Sequence, residues 1–525
     1  MVIDIIEKIK AEKDGLALLP EIENIAGNGY ANLSPEDVER LKWLGVFLRK
    51  KTPGFFMLRV RLTGGRAIAG QLRALAQISA KLGNGILDVT TRQQIELRAI
   101  KIESVPQIFE SLKTVGLTCL QTGMDNVRGI NVCPLSGLTP HELLDAFPFA
   151  VDFTKMFLGN GEFTNLPRKF NVAFTGCLEN CINLESQDLA LSPAIKQIDG
   201  IMVKGFNVLA GGKMGSGGFR AASALDIFVP PEEAARLAAE IALIFRDHGF
   251  RNARSQCRLA FLLEAWGVTK FRAELESRWF ARYGKRLLVA GEDKRQEKET
   301  DHLGVSPQQQ TGQFAVGLYI PVGRMQAMQL HRLAALSETY GSGEVRFTEQ
   351  QNVIIVNVAE AKLETLLREP LLAELPSFPS PLFRGLVSCV GIDYCNLAVI
   401  ETKKISIEIT NELDKRLVKE AKDVSMRWSG CPAGCGNHFT ADIGLQGTKA
   451  SVADKIVPAA HIFLGGKVGK DARAGQLILE AVPVAMLPDV LETIIRHRGL
   501  LEKVRRDVEA RRRVIMLPGE MEENL

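Results

Sequence analysis

The sequence predicts an α/β chain that has been duplicated internally and folds as two pseudo-twofold halves around a shared site. Three observations predict it: a long ungapped self-match, a second self-match around pairs of cysteines, and branched-chain runs that alternate with amphipathic stretches. The first match aligns residues 62–93, LTGGRAIAGQLRALAQISAKLGNGILDVTTRQ, with 320–351, IPVGRMQAMQLHRLAALSETYGSGEVRFTEQQ, at a constant offset of 258. Gly65/Gly323, Arg66/Arg324, Gln71/Gln329, Leu75/Leu333, Gly83/Gly341, Gly85/Gly343 and Thr90/Thr348 are shared.

Each copy reads as strand, amphipathic helix, Gly-x-Gly turn and strand. The helix is marked by apolar residues at steps of three and four. FFMLRVRL ahead of the first copy and ILDVTTRQQIEL at its end are rich in branched and aromatic residues, as strands are. The second match pairs Thr175-Gly176-Cys177, Cys181 and Asp188 with Ser429-Gly430-Cys431, Cys435 and Asp442 at an offset of 254. The same offset aligns Gly211-Gly212-Lys213-Met214-Gly215 with Gly465-Gly466-Lys467-Val468-Gly469.

The order is therefore small unit, larger cysteine-bearing unit, small unit, larger unit. Its expected boundaries are an N-terminal helical extension over 1–44, units over 45–115 and 116–290, a linker over 291–313, and units over 314–378 and 379–525. The linker reading rests on GEDKRQEKETDHLGVSPQQQTGQ, which is polar and charged with few apolar residues.

A length of 525 residues is too great for one ordinary core, and 46% hydrophobic with 24% charged residues is a globular composition. The net charge of +4 argues against a dedicated nucleic-acid binder. MVIDIIEKIKAEKDGLALLP is broken by charges every few residues, and no window approaches a membrane span, so a cytoplasmic protein with no membrane partner is expected. Nine cysteines in a reducing compartment point to metal binding or catalysis where they cluster.

They cluster in the second half. Cys389-x5-Cys395 and Cys431-x3-Cys435 offer four thiolates, whereas the first half has Cys133, Cys177 and Cys181 in the equivalent places and Thr139 where a fourth would stand. Four soft sulfur ligands suit an iron–sulfur cluster or zinc, and buried structural thiols are the third possibility. The five-residue gap fits a zinc knuckle poorly. Gly430, Pro432, Gly434 and Gly436 would stop a helix and let backbone N–H groups approach the sulfurs, which favours a cluster. Cys177 and Cys181 read more simply as small hydrophobes left by the duplication, and Cys119 and Cys257 as buried thiols.

With LRVRLTGG, DVTTRQ, NVRGINVCP, LPRKFN and SGCPAGCGNH beside those cysteines, the chain resembles the sirohaem-dependent nitrite and sulfite reductases from about residue 45 to 515. The nearer resemblance is to the assimilatory, ferredoxin-dependent nitrite reducers. It implies an α/β (α+β), pseudo-twofold, three-domain nitrite/sulfite reductase fold with ferredoxin-like half-domains and the cofactors at the domain junction. It also implies a [4Fe–4S] cluster on Cys389, Cys395, Cys431 and Cys435, with Cys435 bridging to the sirohaem iron. The reaction implied is the six-electron reduction of nitrite to ammonia, or of sulfite to sulfide.

An anionic substrate on a carboxylate-rich macrocycle wants arginine and lysine, which supply charge and directed donors together. Arg59 and Arg61, two apart on a strand, share a face, and the second copy has Gly317 and Tyr319 there. Arg92 becomes Gln350, and Lys169 becomes Asp423. With the resemblance, Arg59, Arg128 and Lys169 read as the substrate cations, and Arg61, Arg92, Arg98, Lys213, Lys467 and Asn437 as cofactor contacts. His438 reads as a residue near the cofactors that is not a ligand, because four cysteines already suffice.

Asn171 decides the substrate expected. Sulfite-reducing relatives typically carry a second lysine there for a dianion, and three cations with a neutral amide suit singly charged nitrite. A non-catalytic iron–sulfur protein is the other class open to this chain, and it would have little use for three converging cations. GGKMGSGG at 211–218 matches neither a dinucleotide nor a Walker pattern, so electrons are expected from a partner, an acidic ferredoxin or another small donor protein. The basic run EKVRRDVEARRRVI offers a docking charge, although an exposed helix face is its commoner meaning. A monomer is expected.

Overall fold

A computed structural model describes residues 4–215, 217–417 and 424–498. Its architecture follows the duplication closely. The helices Ala69–Leu82 and Ala327–Tyr340 lie 258 residues apart at both ends, and the hairpins Leu189–Ile198/Ile201–Ala210 and Ile443–Val452/Lys455–Leu464 lie 254 apart.

The two small units are five-stranded antiparallel sheets that exchange an edge strand. In the first, Val46–Leu48, Phe56–Val60, Ile95–Ile100 and Ile86–Val89 are completed by Arg324–Gln326 of the second copy, with Arg324 opposite Asp88. In the second, Gly304–Pro307, Gln313–Leu318, Val353–Ala359 and Glu344–Phe347 are completed by Arg66–Ile68 of the first, with Arg66 opposite Arg346. Gly65 and Gly323, at φ of 71° and 70°, start the two exchanged strands. A side chain at Gly65 would meet the Phe347 carbonyl at 2.2 Å, which only glycine avoids.

Because of the exchange the small units share one core. Leu58, Leu72, Leu75 and Leu97 pack in the same buried cluster as Val316, Leu330, Leu333 and Ile355. Each such side chain taken from water contributes about 1.5–3 kcal/mol. Each larger unit has its own core. Phe153, Phe174, Phe206, Phe245 and Trp279 fill the first, around a six-stranded sheet whose three neighbouring parallel strands are followed by antiparallel ones, and Trp428, Leu445, Ile462 and Leu491 fill the second, a five-stranded sheet with the same parallel-then-antiparallel order.

Two sequence expectations change. ILDVTTRQQIEL forms two strands, Ile86–Val89 and Ile95–Ile100, turned by Thr90–Gln94, because Thr90 Oγ1 accepts from the N–H groups of Arg92 and Gln94. The stretch 291–313, expected as a linker, supplies Glu292–Asp293 to the first larger sheet and Gly304–Pro307 to the second small sheet. Paired edge strands satisfy backbone groups whatever the side-chain polarity, so composition hides them. The N-terminal helices, from Ile5–Glu12 to Pro35–Arg40, dock through Lys10, which pairs with buried Asp125 at 3.3 Å. Among the described residues no helix is long and apolar enough to cross a membrane.

Candidate functional site

Where the three cores meet, the chain leaves a cavity of about 570 Å³. Two turns of the duplicated hairpins close its floor, and each is pinned to the opposite half by a glutamine. Gln93 Nε2 donates to the carbonyls of Phe347 and Val132 at 3.0 and 2.9 Å, and Gln351 Nε2 donates to the equivalent carbonyl of Val89 at 2.9 Å. The turns then present Arg92 and Thr91 from one copy and Glu349 from the other to the same space.

All four cysteines of the second half line one wall of this cavity. Cys389 and Cys395 flank the loop after strand Leu386–Ser388, and Cys431 and Cys435 follow strand Met426–Ser429. The glycine-rich backbone approaches sulfur as the sequence led one to expect: Gly430 N–H donates to Cys389 Sγ at 3.1 Å, and Leu397 N–H to Cys395 Sγ at 3.4 Å. Burial and the neighbouring Cys435, Cys395 and Cys389 sulfurs push the Cys431 thiol up to about 12, so only a bound metal centre would keep it ionised.

The donor set distinguishes the occupants. Four thiolates around one zinc ion lie about 3.8 Å apart, given a Zn–S bond of about 2.3 Å. No three of these sulfurs gather within 4.8 Å of one another, so the wall fits a multi-iron cluster better than a single ion.

The facing walls are cationic. Among the described residues, nine arginine or lysine side chains line the cavity against three carboxylates, those of Asp88, Glu96 and Glu349. Several are already paired: Arg59 with Glu96 at 2.7 Å, Arg254 with Asp125 at 2.8 Å and Arg258 with Asp188 at 2.7 Å. Arg128 donates only to the carbonyls of Met124 and Thr122, and Lys169 has no hydrogen-bond or ion-pair partner among the described residues. Burial, with Arg258 and Arg92 nearby, holds the Lys169 ammonium well below the usual lysine range. Unneutralised, half-buried cations on a cavity wall call for anionic occupants, and a carboxylate-rich macrocycle with a small oxyanion fits that demand.

Asn171 sits among these cations. Its amide, oriented to satisfy both neighbours, accepts from Arg92 Nη2 at 2.9 Å and Arg258 Nη2 at 3.2 Å. Lys213 lines the cavity, donates to the Gly217 carbonyl at 2.9 Å and lies over the Phe261 ring. Asn437, in a left-handed turn at φ 59°, lines it beside Glu349.

Three expected cofactor contacts do not reach the cavity. Arg61 turns into the protein, where the carbonyls of Arg128, Gln121 and Val127 take its guanidinium over the Phe157 ring. Arg98 is fully buried between Asp88 and Glu96 beneath Tyr394, so it orients two cavity carboxylates from behind. Lys467 pairs with Asp471 on the surface at 3.3 Å. His438 is buried, with Nδ1 3.0 Å from Ser429 Oγ; burial lowers it to about 4, so it stays neutral. Asp423 and the basic run at 502–515 lie outside the described residues.

Sequence reading missed Arg258, Arg254, Arg168, Arg49 and Glu349. Arg251, Arg254 and Arg258, spaced by three and four, were the available signal for two of them. Gly317, where the first copy has Arg59, has a packing reason: a side chain there would strike the His302 carbonyl at 1.8 Å.

Comparison with known proteins agrees with this geometry. Residues 123–282 and 381–497 match the model of the nitrite and sulphite reductase 4Fe-4S domain, and 48–115 and 306–373 match that of the nitrite/sulfite reductase ferredoxin-like half domain. The chain is 44% identical to a ferredoxin–nitrite reductase of Synechococcus elongatus, over 94% of this chain and 96% of that one. It is 40% identical to a chloroplastic ferredoxin–nitrite reductase of Zea mays, over 96% and 91%. Among solved structures it resembles the NirA protein of Mycobacterium tuberculosis, with a TM-score of 0.89 at 28% identity over 95% and 94% of the two chains.

Proposed function

The chain belongs to the nitrite and sulphite reductase family, and from that premise we infer that it reduces nitrite to ammonia in a six-electron reaction fed by reduced ferredoxin. One observation carries the residue-level reading: the four cysteines and the unneutralised cations Arg128 and Lys169 line one cavity. Cys389, Cys395, Cys431 and Cys435 would hold the [4Fe–4S] cluster, with Cys435, the exposed one of the four, as the bridge to sirohaem. Sirohaem and the cluster, when bound, supply the one-electron transfers.

The protein's own residues bind, orient and protonate. Arg128 and Lys169 would attract the anion and hold its oxygens, Arg59 would add to the field from its pair with Glu96, and Arg92 with Lys213 would meet the macrocycle's carboxylates. Lys169 suits proton delivery, since burial and neighbouring positive charge weaken its hold on the ammonium proton. Asn171 contributes no charge and keeps Arg92 and Arg258 in place, which matches a monoanion.

The donor would dock where the cluster wall nears the surface. Lys50 N–H donates to Asn396 Oδ1 at 2.8 Å, so the exposed Lys50–Lys51 pair borders the Cys395 loop and offers an acidic ferredoxin its counter-charge. A cytoplasmic monomer belongs to the same reading, and nine free cysteines suit a reducing compartment. Paired assays with reduced ferredoxin and with reduced viologen test it: nitrite should exceed sulfite in kcat/KM. A clear preference for sulfite would overturn the substrate assignment.

A further inference from the structure

The first half carries a second soft-ligand constellation that the reaction does not use. Cys133, Cys177 and Cys181 stand where the other half has Cys389, Cys431 and Cys435, and none of them lines the main cavity. A further candidate donor comes from outside the repeat. His302, from the stretch between the halves, brings a ring nitrogen within 4.8 Å of both Cys133 Sγ and Cys181 Sγ, which lie equally close to each other. Cys177 packs in the same buried cluster as both thiols.

We propose that Cys133, Cys177, Cys181 and His302 form a structural zinc site in which the imidazole replaces the missing fourth cysteine. Three thiolates and one imidazole are a recognised closed tetrahedral set for zinc. Sulfurs around zinc lie about 3.8 Å apart, so the ligand atoms of Cys133, Cys181 and His302 need to close by no more than about 1 Å, and Cys177, which lies outside that grouping, must swing further to complete the set. The cluster cysteines, spread wider, do not offer this geometry. On binding, each thiol ionises and its proton leaves to solvent, with no change of oxidation state.

Hydrophobic packing explains the thiols alone but leaves the histidine unexplained. His302 is buried, and its Nε2 has no hydrogen-bond partner among the described residues. Its segment is tied to the cysteine loops on both sides: Asn180 N–H donates to the Lys298 carbonyl at 2.8 Å, and Gln309 N–H to the Leu138 carbonyl at 2.7 Å. A zinc ion there would clamp the inter-half stretch onto the first larger unit.

Elemental analysis of the purified holoenzyme, grown with zinc and without chelators, tests the site. About one zinc ion per chain is expected in addition to the iron, and Cys181→Ser and His302→Ala should each lose most of it while the visible spectrum stays unchanged. X-ray absorption at the zinc edge of the unaltered protein should give three sulfurs and one nitrogen, a readout that survives if a variant fails to fold. Zinc below a tenth of an equivalent, zinc bound through oxygen as an adventitious ion only, iron in excess of the sirohaem and one cluster, or a Cys133–Cys181 disulfide found by mass spectrometry would each overturn the proposal.

Discussion

Asn171 holds Arg92 at 2.9 Å through its amide oxygen, and the same oxygen meets Arg258 at 3.2 Å. A lysine at this position would point a third positive charge at two guanidiniums and push them apart. Asn171→Lys should therefore lower kcat/KM for nitrite and raise the sulfite-to-nitrite ratio by about tenfold or more, the equivalent of about 1.4 kcal/mol. Steady-state assays with reduced viologen measure it, and an unchanged ratio would sink the charge argument.

Cys435 is the exposed member of the cysteine wall, and it carries the bridging assignment. In Cys435→Ser the cluster and sirohaem signals should be lost or uncoupled together in absorption and electron paramagnetic resonance spectra. Unaltered spectra would remove Cys435 from the ligand set. Cys257→Ser serves as a control, since that thiol lies apart from the wall, and its spectra should match the unaltered protein.

Glu96 is held down to about 2 against an ordinary 4.5; burial opposes this, and Arg98, Arg59 and Arg49 outweigh it. A carboxylate depressed in the folded state contributes stability above its unfolded pKa and loses it as pH falls through the folded one. The protein should lose stability from about pH 4.5 down to about 2. Glu96→Gln leaves Arg98 partly unpaired, at a cost of about 3–5 kcal/mol. Denaturant titrations followed by circular dichroism should show a lower midpoint at neutral pH for the variant and a flatter acid limb.

Lys50 and Lys51 border the Cys395 loop without lining the cavity. Lys50→Glu with Lys51→Glu should raise KM for ferredoxin about fivefold or more at low salt, and the difference should shrink as ionic strength rises. Rates with reduced viologen should not change. An equal loss with both donors would place the defect elsewhere than docking.

The sequence revealed the duplication, because two constant offsets survive in the hairpins and helices residue for residue. It also revealed the cysteine wall, Arg128 through its motif, and Arg92 and Lys169, whose charge has no counterpart in the other copy. The alternation rule put Arg59 and Arg61 on one face, and both do reach the 118–128 segment. It could not tell that Arg61 would be consumed by carbonyls there. Arg98 was misread for the same reason: ion pairing with Asp88, ten residues away, is a tertiary fact. The exchange of Arg66–Ile68 and Arg324–Gln326 was hidden because a three-residue strand carries no sign of which sheet it joins.

That exchange sets an order on synthesis. The first small sheet lacks its edge strand until residues 324–326 have left the ribosome, so Ile86–Val89 keeps unpaired backbone groups through more than two hundred residues of elongation. The nascent chain is thus obliged to wait for its own second half. Ribosome-bound chains ending before residue 320 should be degraded by added protease in the 45–115 region, and chains extending past residue 380 should resist it. Early resistance would mean that the first sheet closes by itself. Two copies that exchange strands and share one core should not fold separately.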